Sequence, residues 1–98
     1  MIVSFGDKGT EDLFHGRTTS RIRRFPPQIV RPALQQLDVL NSARALRDLR
    51  SPPGNRLEAL KGDFAGFHSV RINQQWRLVF RWHEGEASKV TIVDYHRG

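Results

Sequence analysis

Cysteine is absent from the 98-residue sequence, which also has only one methionine and one tyrosine. Without cysteine the chain cannot form disulfide bonds, use a thiol in catalysis or build a cysteine-based zinc site. The four histidines, at positions 15, 68, 83 and 96, lack the spacing of metal ligands. We therefore expect the protein to hold neither a metal ion nor a cofactor.

Long apolar runs are missing too. No run approaches the roughly 18 apolar residues of a membrane span. Asp7 and Lys8 follow the first few residues too closely for a signal peptide. We therefore expect a cytoplasmic protein that does not associate with a membrane. Hydrophobic residues nevertheless make up 38% of the chain, which is enough for one modest core, so we expect a single domain over residues 1–98.

Acidic residues are outnumbered by basic ones, 10 to 16, and 13 of the basic residues are arginine. The net charge of +6 and the pI near 11.1 favour a polyanionic partner. Arginine suits such a partner because its planar guanidinium can hold a phosphate through two hydrogen bonds. Two alternatives stay open, a basic protein that is merely well solvated and one that binds an acidic protein. The acid-free run from 17 to 31, with its five arginines, is interpreted as a solvated face or a contact with the ribosome or a partner.

The apolar pattern predicts an α+β fold, a small single domain with N-terminal helices packed on one face of a mainly antiparallel sheet. A short strand is expected at 2–5, a helix at 8–14, and a longer helix that ends near residue 41. The longer helix begins either at Pro26 and Pro27 or at Pro32. A further helical piece at 43–50 and a loop at 51–55 precede three strands at about 67–72, 76–83 and 88–95.

The strand pattern also predicts a register. A turn at 73–75 would place Arg71 directly opposite Arg77, and a turn at 84–86 would pair Phe80 with Val90 and Leu78 with Ile92. One sheet face then carries a stripe of tryptophan and leucine. The opposite face carries five polar side chains: Arg71, Arg77, Arg81, Lys89 and Tyr95.

This row of cations predicts a surface that binds phosphate, because like charges facing each other across strands destabilise a sheet unless an anion receives them. Alternatively, the arginines are solvated or reach Glu58, Glu84 or Glu86. If the row binds RNA, replacing Arg71 and Arg77 with alanine should abolish binding and leave the melting temperature nearly unchanged.

The last strand ends in Asp94, Tyr95 and His96, followed by Arg97. Cleavage of RNA by internal attack needs a base, an acid and positive charge near the phosphate, and this cluster and the row of arginines together could supply all three. His96 is the best acid or base because the ordinary pKa of histidine lies near neutrality. His68 shares the parity of the core residues, which indicates a half-buried structural histidine.

The chain resembles a HigB-type toxin of the RelE/ParE superfamily, the toxin half of a bacterial toxin–antitoxin pair. Nearly the whole length carries the resemblance. Its motifs are Ser4-Phe5 with Asp7-Lys8-Gly9 and Leu13-Phe14, Leu60-Lys61-Gly62-Asp63 with Gly66, Ser69, Asn73, Trp76-Arg77-Leu78 and Asp94-Tyr95-His96.

The resemblance implies a metal-independent endoribonuclease that enters the A site of the 70S ribosome and cuts translated mRNA. A helix-turn-helix antitoxin would neutralise it, and the toxin would reach operator DNA only within that complex. Lys61, Asp94, Tyr95 and His96 match the catalytic residues of the family, and Arg77 matches the arginine that holds the scissile phosphate. The strand register adds Arg71 and Arg81 as residues that bind the RNA.

Two other functions also fit the sequence. The fold could belong to a toxin of the ParE kind, which inhibits DNA gyrase by protein contact and cuts no RNA. It could also be a simple RNA-binding module, in which case replacing His96 would leave its effect intact. The Leu60–Asp63 and Asp94–His96 motifs favour the nuclease.

Overall fold

Two helices and four strands form the regular framework of residues 1–95, the part of the chain that the computed structural model describes. His96 and Arg97, for which the sequence predicts a role at the site, lie outside the described residues. The helices are α1 (Lys8–Phe14) and α2 (Pro27–Ser42), and the strands are β1 (Glu58–Ala59), β2 (Phe67–Arg71), β3 (Trp76–His83) and β4 (Glu86–Asp94). Short 3-10 turns at Ser20–Arg24, Leu46–Arg50, Pro53–Asn55 and Gly62–Phe64 connect them.

Both helices begin where their sequences favour a start. Asp7 caps α1, since its backbone is extended and its carboxylate accepts the Thr10 N–H at 2.9 Å. Pro27 is the first residue of α2, a position where the missing N–H costs nothing. Pro32 lies inside the helix, so the alternative start there is wrong.

The strands form one antiparallel sheet in the order β1-β2-β3-β4. Arg71 lies opposite Arg77, as the sequence predicts. The predicted segment at 2–5 lies parallel to β4 through two isolated bridges, Ile2 to Ala87 and Phe5 to Val90.

The turn between β3 and β4 contains two residues, so the predicted three-residue turn is wrong. Glu84 and Gly85 have φ of 47° and 82°, as a tight hairpin turn requires. An irregularity between Val79 and Arg81 then shifts the register by one residue, and Lys89 takes a positive φ of 52° there. Beyond the bulge Leu78 pairs with Ile92, as predicted.

The hydrophobic core lies between the helices and one face of the sheet. It combines residues of α2 with alternate residues of the strands: Ile29, Ala33, Leu37, Leu40, Val70, Trp76, Leu78, Phe80, Val90 and Ile92. The expected α+β architecture is thus confirmed, with both helices on the core face. Within residues 1–95 neither helix is long and apolar enough to cross a membrane.

The arginines of the run at 17–31 are exposed, as expected of a solvated face, and three of them also bind acidic groups of the chain. Arg17 and Arg21 bind the buried carboxylate of Asp12 at 3.4 and 2.9 Å. Arg24 bridges Asp7 to the main-chain carbonyl of Ile92. The segment before α2 is therefore tied to α1 and to β4. Hydrogen bonds from the Thr19 hydroxyl and from Arg21 hold the pKa of Asp12 below its ordinary value.

Candidate active site

The sheet face opposite the core, here called the open face, carries two pairs of residues that mark its ends. Arg71 and Arg77 face each other at one end, and Phe67 and Arg81 face each other at the other. The pairing of β2 with β3 has no irregularity between them, so all four side chains project to the same side. The pairs lie four positions apart along each strand, which corresponds to about 13 Å.

A cavity of about 590 Å³ lies at the Arg71–Arg77 end of the open face. Its lining combines three arginines with one carboxylate and one phenol, and consists of Arg56, Leu57, Glu58, Arg71, Asn73, Gln74, Arg77 and Tyr95. Three guanidinium groups around one cavity create a strongly positive site. Such a site favours an anionic ligand, and a phosphate group fits its chemistry.

Arg77 is the most tightly held of these cations, with a relative exposure of 8%. Its Nη1 pairs with Oε1 of Glu58 at 2.9 Å, and its Nη2 donates to the Arg56 carbonyl at 2.6 Å. The guanidinium also lies 5.5 Å from the centre of the Tyr95 ring. The possibility that an arginine of this face reaches Glu58 thus holds for Arg77. The sequence predicts that replacing Arg71 and Arg77 leaves the melting temperature nearly unchanged. Because Arg77 is buried and bonded, its replacement should instead lower the melting temperature.

Arg71 and Arg56 complete the positive wall of the cavity. Arg71 is partly buried, and its Nε donates to the Asn73 carbonyl at 3.2 Å. The carbonyl of Arg71 accepts a hydrogen bond of 2.6 Å from Gln36 of α2, which fixes the end of β2. Arg56 has an exposed side chain and a left-handed backbone with φ of 47°. Sequence reasoning missed Arg56 because nothing in an irregular loop showed which strand residue it would face.

The turn at 73–75 holds the end of β4, where the terminal cluster begins. The Tyr95 N–H donates to the Gln75 carbonyl at 2.7 Å, and the Gln75 side chain donates to both oxygens of Asp94 at 3.1 Å. Asp94 pairs with Trp76 and therefore points to the opposite side of the strand from Tyr95. The structure brings Tyr95 to the arginines and holds Asp94 beside Gln75, while His96 lies outside the described residues.

Arg81 lies at the other end of the open face, Lys61 lies near that end of β2, and neither is among the described residues that line the cavity. Leu60, just before Lys61, donates its N–H to the Phe67 carbonyl at 2.8 Å, which places Lys61 beyond that end of β2. Arg81 is exposed, and its guanidinium lies 5.2 Å from the centre of the Phe67 ring. Their assignment to the site stays a prediction.

Glu58 is the one carboxylate among the described residues that line the cavity, and sequence reasoning gave it no catalytic role. It lies in the two-residue strand β1, opposite Ser69 of the open face. A strand this short shows no alternation, so its facing could not be deduced from the sequence. With 53% of its side chain exposed, Glu58 is accessible to a ligand and can accept a proton from one.

His68 behaves as the sequence predicts and is a half-buried residue on the core side of β2. Its ring stacks on Phe80 with the centroids 6.2 Å apart. Its Nδ1 is buried without a hydrogen-bond partner among the described residues. Burial lowers the pKa of His68, because the charged imidazolium loses its hydration there.

Comparison with known proteins agrees with the sequence motifs. A family model for the RelE-like toxin of the type II toxin–antitoxin system HigB matches residues 3–96. Toxin HigB-1 of Vibrio cholerae is 39% identical over 97 residues, which is 99% of both chains. Endoribonuclease HigB of Proteus vulgaris is 32% identical over 96 residues, which is 98% of this chain and 100% of the relative.

Solved structures share the fold at much lower identity. A mutant of YafQ from Escherichia coli superposes with a TM-score of 0.65 at 13% identity, over 96% of this chain and 91% of that one. The YoeB–YefM complex from Staphylococcus aureus gives a TM-score of 0.61 at 20% identity, over 99% of this chain and 97% of that one. The fold is thus that of the RelE-like toxins. Together with the match over residues 3–96, it shows that the chain belongs to the HigB family of RelE-like toxins of type II toxin–antitoxin systems.

Proposed function

We propose that this toxin is an endoribonuclease that cleaves translated mRNA in the ribosomal A site and so inhibits translation. The observation that carries the proposal is the cavity in which Arg77 is held between Glu58 and Tyr95, with Arg71 facing it across the strands. Cleavage of a phosphodiester needs charge stabilisation and proton transfer, and this cavity contains groups for both. The endoribonuclease name of the Proteus vulgaris relative supports the same activity.

The proposed reaction is an internal transfer. A base takes the proton of the ribose 2′-hydroxyl, whose oxygen attacks the adjacent phosphorus, and the bond from phosphorus to the 5′-oxygen breaks as an acid protonates that oxygen. The products are a 2′,3′-cyclic phosphate and a free 5′-hydroxyl. The reaction needs no metal ion, because the arginines supply the positive charge that the phosphoryl oxygens require.

The described residues suggest a division of roles. Arg77 and Arg71 would stabilise the phosphoryl oxygens, and Glu58 would take the 2′-hydroxyl proton, since its carboxylate faces the cavity. Tyr95 would stack on a base or donate a proton. His96 remains the proposed acid, because it follows Tyr95 in the chain and has the most suitable ordinary pKa.

The other predicted site residues take supporting roles in this proposal. Asp94 would orient the end of the chain through its bonds to Gln75. Lys61 and Arg81 would bind the RNA backbone beyond the cavity, since both are exposed cations that do not line it.

As a toxin of a type II system, the protein has an antitoxin partner. We propose that this antitoxin is a helix-turn-helix protein and that the toxin meets operator DNA only within their complex. The 70S ribosome and its mRNA would be the target, and the cytoplasm the site of action. The ParE-type alternative, inhibition of gyrase by protein contact, has less support because the matched family and the named relatives are HigB proteins.

The test is to add purified protein to ribosomes programmed with a defined mRNA and to map new 5′ ends by primer extension. We expect cuts within the A-site codon that disappear in Glu58→Gln and His96→Ala. Naked mRNA is the control for ribosome dependence, and Glu86→Gln, an exposed carboxylate at the start of β4, is the matched control for charge.

Each further outcome has a distinct meaning. Intact mRNA in every arm would overturn the nuclease and direct attention to a gyrase supercoiling assay. Cuts that persist in His96→Ala but vanish in Glu58→Gln would keep the nuclease and remove His96 as its acid.

A further inference from the structure

Two aromatic rings lie at the far end of the open face, outside the hydrophobic core. Phe64, in the 3-10 turn at Gly62–Phe64, is 54% exposed. Its ring meets that of Phe67 edge to face, with the centroids 6.0 Å apart. The Arg81 guanidinium lies 5.2 Å from the centroid of the Phe67 ring. We call Phe64, Phe67 and Arg81 the aromatic platform.

The local backbone keeps this platform open. Gly66 has a φ of 92°, and a Cβ atom there would come within 3.3 Å of Arg81 Nη2. A side chain at this position would be strained and would crowd the guanidinium. Glycine therefore leaves room for the Arg81 guanidinium beside Phe67, while Phe64 stays exposed to solvent. An exposed phenylalanine close to an arginine is a surface suited to a ligand that has both a flat ring and a negative charge.

We propose that the aromatic platform is a subsite for one nucleobase of the mRNA strand that the toxin cuts, with Phe64 stacking on the base and Arg81 binding its phosphate. The proposal rests on the proposed function and extends it. The platform lies on the same sheet face as the cavity, about 13 Å from the Arg71–Arg77 pair. Ser69 and Val79, the pair between the two ends of this face, are buried, so a strand of RNA would pass over the side chains that cover them and reach the platform outside the cleaved bond.

The chemistry favours RNA over a protein partner as the occupant. Bases stack on exposed aromatic side chains whatever their sequence, and arginine contributes to such stacks. Arg81 lies against Phe67 and Lys61 directly precedes the turn that carries Phe64, so two cations accompany the single carboxylate of Asp63 in that turn. An acidic peptide would use the cations but would leave the exposed Phe64 ring without a partner.

The experiment measures the affinity of the protein for ribosomes programmed with a non-cleavable mRNA, which carries a 2′-O-methyl group at the attacking nucleotide. The variants are Phe64→Leu, which keeps an apolar side chain without a ring, and Phe64→Trp, which keeps the ring. Val39→Ala, an exposed apolar residue on α2, is the control. We expect Phe64→Leu to bind about tenfold more weakly, Phe64→Trp to bind as well as the original chain, and Val39→Ala to bind unchanged.

A set of mRNAs, each lacking one base near the cut, identifies the occupant. At one position outside the cleaved bond, removal of the base should weaken binding of the original chain by the same factor as Phe64→Leu does. The same removal should not weaken binding of Phe64→Leu any further. If Phe64→Leu binds more weakly than the original chain by the same factor with every mRNA of the set, the platform binds ribosomal RNA or protein and the proposal is overturned. An unchanged affinity of Phe64→Leu for ribosomes, with weaker antitoxin binding, overturns it as well.

The affinity measurement is independent of catalysis, so the two proposals can fail separately. A chain that binds with the expected base dependence but leaves cleavable mRNA intact would refute the nuclease and keep the subsite. If Phe64→Leu cuts mRNA and binds the programmed ribosomes with full affinity, the nuclease proposal stands and the subsite is refuted.

Discussion

Both ends of the open face place an arginine against an aromatic ring, yet the two arginines are held very differently. Arg77 lies 5.5 Å from the Tyr95 ring and is 8% exposed, with bonds to Glu58 and to the Arg56 carbonyl. Arg81 lies 5.2 Å from the Phe67 ring but is exposed, and within residues 1–95 it has no carboxylate partner. Arg77 and Arg81 thus lie on the same face of β3, but Arg77 is held in place by several partners and Arg81 is not.

This difference corresponds to two kinds of work. A group that stabilises developing charge is most effective when it is fixed before the reaction, since no free energy is then lost in reorganising it. A group that holds successive nucleotides of varied sequence is better left mobile. The Arg77 end is therefore expected to govern the rate of cleavage, and the Arg81 end the affinity for RNA.

The largest effect is expected when the same substitution is made at both ends. Arg77→Ala should lower the cleavage rate about a thousandfold, because it removes fixed positive charge next to the phosphate. It should also destabilise the fold by about 2 kcal/mol and lower the melting temperature by roughly 10 °C, because a bonded buried group is lost. Single-turnover cleavage and calorimetry measure the two effects.

Arg81→Ala serves as the matched comparison. It should leave the melting temperature unchanged within about 2 °C and should raise the half-saturating protein concentration without changing the maximal rate. Equal losses of stability in the two variants would contradict the distinction between a fixed and an adaptable arginine.

A second, somewhat smaller effect is expected at Glu58. In Glu58→Gln the amide can still accept a hydrogen bond from Arg77 but cannot take a proton, so the cleavage rate should fall about a hundredfold. Affinity for non-cleavable mRNA should rise at the same time, because no carboxylate competes with phosphate for Arg77. Rate and affinity moving in opposite directions would distinguish a catalytic base from a structural partner.

Glu86→Gln should change neither quantity, since Glu86 is exposed at the start of β4, away from the cavity lining. If Glu58→Gln keeps the full cleavage rate, the base must be another group, and His96 or Asp94 becomes the candidate.

The sequence predicts the β2–β3 hairpin well because strict alternation and a polar turn leave only one register that buries tryptophan with leucine. It therefore places Arg71 opposite Arg77 correctly. It fails where alternation is absent or interrupted. Glu58 lies in a strand of two residues, and the bulge near Lys89 depends on a backbone conformation that the residue type does not announce.

Long-range ion pairs are the other part that sequence patterns do not predict. Arg17, Arg21 and Arg24 look like a free basic surface, yet they bind acidic residues of and before α1. The pairs depend on where the segment at 15–26 folds back, and the charges alone do not fix that path. The family motifs are what predicted Lys61, because a lysine at a turn has no physical signal of its own.

An intermediate effect is expected from the turn that holds the Tyr95 end. Gln75→Ala removes the bonds to Asp94 but keeps the main-chain bond to Tyr95, so the cleavage rate should fall about tenfold through looser positioning. Gln75→Glu should cause a larger loss, because it places a second carboxylate beside Asp94. The affinity of Gln75→Ala for ribosomes programmed with non-cleavable mRNA should equal that of the original chain, with Phe64→Leu as the reference for weaker binding.

Gln35→Ala is the control for this change, since Gln35 is an exposed glutamine on α2. A loss of cleavage in Gln75→Ala that is accompanied by an equal fall in melting temperature would assign Gln75 to the fold instead of to the site.

The smallest effect concerns His68, which lies on the core side of β2 behind the open face. Burial lowers its pKa in the folded chain, so the unfolded chain takes up the proton first as the pH falls below about 6.5. Stability is therefore complete above that pH and declines as the pH falls toward the folded-state pKa. His68→Phe should flatten this decline in urea unfolding between about pH 5 and 7. Because the His68 side chain lies on the core side of β2, the cleavage rate and the RNA affinity of His68→Phe at pH 7 should match those of the original chain. A changed rate would mean that packing on the core side of β2 affects the site. The different effects of Arg77 and Arg81 would then depend on the packing of the whole strand and not on the contacts of each arginine.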